Sequence, residues 1–226
     1  MDAIAIREVE GGELRDGAAL LAASLRFADC DAVPAWLMQT AVELGGLALG
    51  AFAARRLVGF SFALPWGTDA LFSCGLAVDP ACRGVGIGRL LKLAQRDRAL
   101  AGGRARIRWT ADPLAAPALA LYLTGLGARL TEYRPELYAA TRPEPVPPDD
   151  VVIDWPLEPE ANEPSGSAER VEVPSDRRAL DDVALRSWRL RVREGMCAAL
   201  DAGAVGTGVR VDRAAGRAWV QFEQRG

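Results

Sequence analysis

Histidine is absent from all 226 residues. That excludes a Ser-His-Asp triad, a Cys-His dyad and every His-ligated metal site. Acid–base chemistry is left to Asp, Glu, Tyr, Cys, water or the single lysine, Lys92. Cysteine is sparse: Cys30, Cys74, Cys82 and Cys197 form no CxxC pair and no metal-ligand spacing. They read as reduced, mostly buried thiols, Cys82 being singled out only by the glycines beside it, and no metal is expected. No apolar run approaches the roughly 18 residues that span a bilayer. The first ten residues, MDAIAIREVE, carry acids and no basic n-region, so neither a secretory signal nor membrane contact is expected. The expectation is a cytoplasmic protein. The formal charge is −3 and no basic block occurs, which argues against a nucleic-acid surface.

What is present is a chain that is 50 % apolar, enough for a sizeable core. Residues 3–9 alternate like a strand, 13–27 and 34–44 look helical, and 47–53 with 56–64 have the signature of a hairpin. A further apolar strand is expected over 70–78 and a helix from the glycine stretch to about Leu100. In that helix Ile87, Leu90, Leu91 and Ala94 fall on one face, and Arg89, Lys92 and Arg96 on another. RARIRWT (104–110) alternates as a strand. Asp112-Pro113 has the order of an N-cap and a first-turn proline, so a helix is expected from there to about Leu123. Residues 128–138 and 151–155 read as further strands. Residues 156–174, rich in Pro, Glu and Ser, read as an exposed linker. A long helix over 176–200 and a strand–turn–strand over 208–223 follow, with Trp188 and Trp219 expected to be buried.

The strand over 70–78, its helix and the strand over 104–110 make one βαβ unit with parallel strands. The preceding strands, joined by short turns, should be antiparallel. The expected fold is thus α/β (α+β), a mixed and mostly antiparallel sheet with one parallel βαβ unit. The expected domains are 1–155, a linker at 156–174 and a C-terminal helix and hairpin extension over 175–226.

The segment CRGVGIGRLL (82–91) sits between a strand and a helix. First-turn amides lack intrahelical acceptors, and the helix dipole adds partial positive charge, so an anion fits there. Glycine lets backbone amides approach phosphate oxygens with no Cβ in the way. There is no GK[ST], so this is no Walker loop, and the third glycine is not at Rossmann spacing. The same residues could also form a tight packing turn.

Arg83-Gly84-Val85-Gly86-Ile87-Gly88 matches R/Q-x-x-G-x-G/A, the pyrophosphate loop of the GNAT N-acyltransferase superfamily. VDPACRGVGIGRLLKLA and LALYLTGLGARL resemble its two signature segments, with Tyr122 at the tyrosine position and Gly127 at the glycine. The resemblance covers residues 3 to about 155. WTADPL (109–114), EYRPELY (132–138) and PPDDVVIDW (147–155) further resemble a bacterial subgroup of acyltransferases, which implies amino acids among the acceptors. The sequence departs from the superfamily at Ala115, where Asn is frequent. It departs from the subgroup at Phe72 and Cys74, where histidines are frequent.

The resemblance implies acetyl-CoA or another acyl-CoA as co-substrate and a small-molecule amine as acceptor. Amides of residues 84–88 would hold the pyrophosphate, and Arg83, Arg89 or Lys92 could neutralise its charge. Backbone groups of Leu76, Ala77 and Val78 would pair with pantetheine in a gap between two splayed parallel strands. Tyr122 is the candidate acid for the leaving thiol. Asp112, at the carboxyl end of its strand, is the candidate base, although an N-cap role suits it as well. Glu43 and Glu132 are weaker candidates, and water could serve instead. Trp66 and Trp109 could line the acceptor pocket or belong to the core. The extension could pack in cis or on a second subunit in a homodimer. Two alternatives stay open: a protein N-acetyltransferase, and a CoA-binding sensor without catalysis.

Overall fold

The computed structural model describes residues 3–25, 32–141, 144–158, 165–212 and 214–224. The chain divides into two compact units, residues 1–108 and 109–226. The division falls inside a strand rather than at the boundary near 155 that the sequence suggested.

The first unit carries β1 (Ile4–Glu8), α1 (Glu13–Leu25), α2 (Ala35–Glu43), β2 (Leu47–Ala53), β3 (Arg56–Trp66), β4 (Ala70–Val78) and α3 (Ile87–Ala101), and β5 (Arg106–Ala111) begins in it. The strands lie in the order β1-β2-β3-β4-β5. Neighbours are antiparallel through β4, and β4 pairs with β5 in parallel, as a helical crossover requires. Side chains alternate across the sheet. Phe60 and Phe62 therefore face α1 and α2, packing with Leu14, Leu21 and Met38. A bulge at Val58, between the Ala51–Gly59 and Phe52–Leu57 pairs, interrupts that alternation, so Val58 meets Ile87 and Leu91 of α3 on the other face, with Leu49 and Ala51 of β2.

The buried residues of α3 are Ile87, Leu91, Lys92, Gln95 and Ala99. This differs from the stripe expected from the sequence. Leu90 is 43 % exposed whereas Lys92 is 1 % exposed, so the helix is rotated to put its lysine inside.

The second unit carries the strands β6 (Arg129–Arg134), β7 (Asp150–Pro156), β8 (Ser165–Pro174), β9 (Ala204–Asp212) and β10 (Arg217–Gln224), in the order β7-β6-β9-β10-β8. Helix α5 (Asp182–Asp201) packs on them through Val192, Met196 and Ala199. Its N-cap Asp181 accepts the Ala184 N–H at 2.8 Å, as a cap should.

Three expectations change here. The linker expected over 156–174 is a strand from Ser165 to Pro174, paired with β10 along its length; residues 159–164 lie outside the description. The helix expected from Pro113 begins instead at Ala116: α4 is Ala116–Leu119, with Pro117 in its first turn, and it runs into a π-helical turn at Ala120–Gly125. Trp188 and Trp219 are half-buried rather than buried. No described helix is long and apolar enough to cross a membrane.

Candidate functional site

The glycine stretch forms an amide cradle. Asp79 accepts the Ala81 N–H at 2.9 Å and opens a short 3-10 turn over Pro80–Cys82. Arg56 fixes the same carboxylate at 2.5 Å. Gly84 and Gly86 follow at φ +81° and +89°, and Gly86 is the N-cap of α3. L-residues avoid this backbone region. A Cβ added at either position would meet no atom within 4 Å. The glycines are thus not set by crowding within the protein. They hold a left-handed backbone and leave open space before the unpaired first-turn amides of a 15-residue helix, which is what an approaching anion needs.

Arg83 donates its Nε–H to the Val78 carbonyl at 3.0 Å, which ties the loop to the end of β4. Arg89 is exposed. Lys92 turns into the core, where its Nζ donates to Ser73 Oγ at 2.9 Å and to Gln95 Oε1 at 3.1 Å. Burial pushes its pKa down to about 7, the Cys74 thiol opposing weakly. The phosphate role considered for Lys92 is therefore replaced by an internal one.

The edge of β4 is the second feature. Among the described residues its parallel ladder with β5 covers only Ala70–Phe72 against Arg106–Arg108. The Asp79 N–H bonds across to Val58 of β3 at 2.9 Å. Alternation then gives the Ala77 and Gly75 backbone groups to β3 and turns those of Leu76 and the Val78 N–H away from it, the Val78 carbonyl accepting from Arg83. Of the three residues expected to pair with pantetheine, Leu76 and Val78 fit and Ala77 does not. A bulge at Cys74 marks the change of register with β3. Cys74 is exposed, Cys82 and Cys197 are half-buried, and Cys30 lies outside the described residues. Mostly buried thiols were expected, so this is a correction. Burial around its sulfur nonetheless pushes the Cys74 thiol up to about 11, so the thiolate is scarce at neutral pH.

In the second unit Tyr122 lies in the π-helical turn after α4, a departure from α geometry often found at functional sites. Its ring stacks edge-on against Trp109, centroids 5.0 Å apart at 75°. Among the described residues nothing bonds to its hydroxyl, and burial pushes the phenol up to about 12. Trp109 is 3 % exposed and also packs against Trp155 at 6.3 Å, so it belongs to the core. Trp66, at the end of β3 in the first unit, is 44 % exposed under the Arg108 guanidinium at 4.8 Å.

Asp112 has both oxygens occupied. Oδ1 accepts the Leu114 N–H at 2.8 Å, and Oδ2 pairs with Arg177 at 2.8 Å. Burial pushes its carboxyl up, and Arg177, the Leu114 N–H and Arg189 pull it back. This is a turn-fixing carboxylate, which weakens the base assignment, and it is not the expected N-cap either, since α4 begins at Ala116 behind Ala115. Glu132 is half-exposed and pairs with Arg134 at 3.7 Å, and Glu43 accepts from Gln39 on the surface of α2.

Residues 19–128 match the model of the Acetyltransferase (GNAT) family. This stretch is a GNAT acetyltransferase domain. Solved structures of the same fold agree. A GNAT family acetyltransferase from Elizabethkingia anophelis with acetyl-CoA bound is 19 % identical; the match covers 69 % of this chain and 99 % of that one, with a TM-score of 0.55. The ribosomal-protein-S18-alanine N-acetyltransferase from Escherichia coli is 19 % identical over 70 % and 97 % of the two chains, at 0.57. Aminoglycoside 6'-acetyltransferase type Ii is 19 % identical over 69 % and 99 %, at 0.55. A comparison with curated proteins finds no significant match. The family match supports a transferase, and the cradle described above suits an acyl-CoA co-substrate.

Proposed function

We propose that the protein transfers an acetyl or related acyl group from coenzyme A to the amine of a small molecule, with amino acids among the candidates. The observation that carries this reading is the open amide cradle at Gly84–Gly88, where two left-handed glycines precede the N-terminus of α3. The cradle would take the pyrophosphate. The edge would take pantetheine as an added strand, and the Leu76 or Val78 amide would face the thioester oxygen as it gains negative charge. Holding the thioester and amine together is the main catalytic device, and positioning of this kind supplies roughly 7–11 kcal/mol.

Tyr122 would assist the leaving sulfur. A thiol of pKa about 8.5 is a good leaving group. A phenol near 12 would lose about 5 kcal/mol by handing its proton over fully. Its role is therefore a hydrogen bond to the departing sulfur, not complete transfer. Asp112 would hold the loop after β5, leaving water to carry the acceptor proton to solvent.

The engaged oxygens of Asp112 favour one second reading, a CoA-binding sensor without turnover. A panel of amino acids, other amines and N-terminal peptides, offered with several acyl-CoAs and read by thiol release, separates the readings. Release with a free amine supports the proposal. Release only with peptides replaces the acceptor class, and binding without release supports the sensor.

A further inference from the structure

We propose that the buried guanidinium of Arg189, within the second unit, is a binding site for the carboxylate of a small acid. Amino acids, among the acceptors proposed above, carry that group. Naming them as the ligand rests on that reading, whereas the carboxylate site itself does not. Three observations support it.

The first is burial. Arg189 is 3 % exposed and stands on the buried stripe of α5 with Val192, Met196 and Ala199. A guanidinium keeps its charge on burial where an amine can shed it, and a buried charge is costly until it is paired. A leucine at this place on the stripe would pack without that cost. The second is the state of its donors. Nη1 donates to the Pro147 carbonyl. Nε and Nη2 have no hydrogen-bond partner among the described residues. These two atoms form one edge of the planar fork, and their N–H groups run side by side, the arrangement that takes both oxygens of a carboxylate. The third is the surroundings. Asp112 feels the Arg189 charge, but its oxygens are engaged by the Leu114 N–H and by Arg177. Glu144 also pairs with Arg177, at 3.5 Å. Asp112 and Arg177 are half-buried and Glu144 is exposed, so the group reaches from the buried fork to solvent and gives a small ligand its way in.

The same surroundings select the ligand's charge. Asp112 and Glu144 set negative charge beside the fork, which repels a dianion such as a phosphate monoester more than a singly charged carboxylate. A carboxylate on the Nε–Nη2 edge makes two parallel charge-assisted hydrogen bonds and gives the guanidinium its counter-ion. A primary amide of the same shape offers one oxygen and no charge. It should bind about 10–100-fold more weakly, the difference that hydrogen bonds to a charged group make.

The full chain is titrated with the proteinogenic amino acids, their primary amides and small monocarboxylic acids, read by the shift in melting temperature and by calorimetry. The expected result is that at least one acid binds the native protein and its amide binds about 10–100-fold more weakly. Arg189→Met should lose affinity for the acid by a similar factor of about 10–100, and Arg189→Lys, which keeps the charge without the fork, should fall between. The comparison of acid with amide needs no variant, so it stands even where Arg189→Met folds poorly. A native protein that binds no acid of the panel overturns the inference. So does equal affinity for acid and amide, or affinity unchanged in a folded Arg189→Met. Thiol release from acetyl-CoA is measured with each acid that binds. Release with a bound amino acid identifies the carboxylate as the acceptor's. Binding through Arg189 without release supports the site and overturns only its assignment to the acceptor.

Discussion

Lys92 and Tyr122 illustrate how burial changes what a residue type can do. A lysine whose folded pKa lies near 7, well below the unfolded value of about 10.4, makes stability depend on pH with a definite sign. Below about pH 7 both states carry the proton, and the full cost of burying it is present. From about 7 to about 10.4 the unfolded chain still holds a proton that the folded chain has lost. Stability should therefore rise with pH across that window, by up to about 1.4 kcal/mol per unit. Denaturant unfolding at several pH values should show this slope in the native protein and its loss in Lys92→Met. Equal slopes would mean that the amine keeps its ordinary pKa.

Tyr122 stands in the opposite relation to its proton, held tightly on the phenol. Tyr122→Phe keeps the ring against Trp109 and removes only the hydroxyl. It should lower kcat by roughly 10²-fold with little change in the KM for acyl-CoA; native turnover would remove the assignment. Asp112→Asn keeps the shape but loses the charge that pairs with Arg177. It should act on stability, by roughly 1–3 kcal/mol, more than on kcat. A drop in kcat with unchanged stability would restore Asp112 as the base.

At the scale of elements, the strand–loop–helix unit from β4 to α3 is the proposed binding element. Gly86 sits at φ +89° with open space around it, so Gly86→Ala should cost about 1–2 kcal/mol from backbone conformation alone. It should also weaken acyl-CoA binding, because the first-turn amides of α3 would shift. Calorimetric titration against the native protein checks both parts. Unchanged affinity would show that the cradle does not carry the ligand.

Much of this unit was legible in the sequence. The glycine spacing, the strand before it and the arginine at its head all carry local signals. Less legible were features set by tertiary contact. Nothing in LLKLA says that the lysine faces the sheet, since lysine is among the residues least often buried. Alternation alone could not say which of Leu76, Ala77 and Val78 face away from β3; the Asp79–Val58 bond decides it. β8 was read as a linker because its Ser, Glu and Pro content resembles a connector, and its pairing with β10 overrides that composition. The N-cap signal at Asp112-Pro113 was real, but it closes a turn held by Leu114 and Arg177 instead of opening the helix.

At the scale of the molecule, the GNAT domain is the proposed cofactor-handling frame, and acceptor choice must come from elsewhere. The neighbours of this fold include enzymes whose names specify a ribosomal protein and an aminoglycoside, so the frame alone does not select the amine. The strands and helix after residue 156 make up much of the second unit, and they lie outside the matched family region, residues 19–128.

The central claim, that the Gly84–Gly88 cradle and the edge of β4 hold an acyl-CoA, is tested most directly by ligand-linked stability. Acetyl-CoA at about 100 times its Kd should raise the unfolding free energy by roughly 2.7 kcal/mol, and Gly86→Ala should need more ligand for the same gain. A native protein whose stability does not change with millimolar acetyl-CoA would contradict the account.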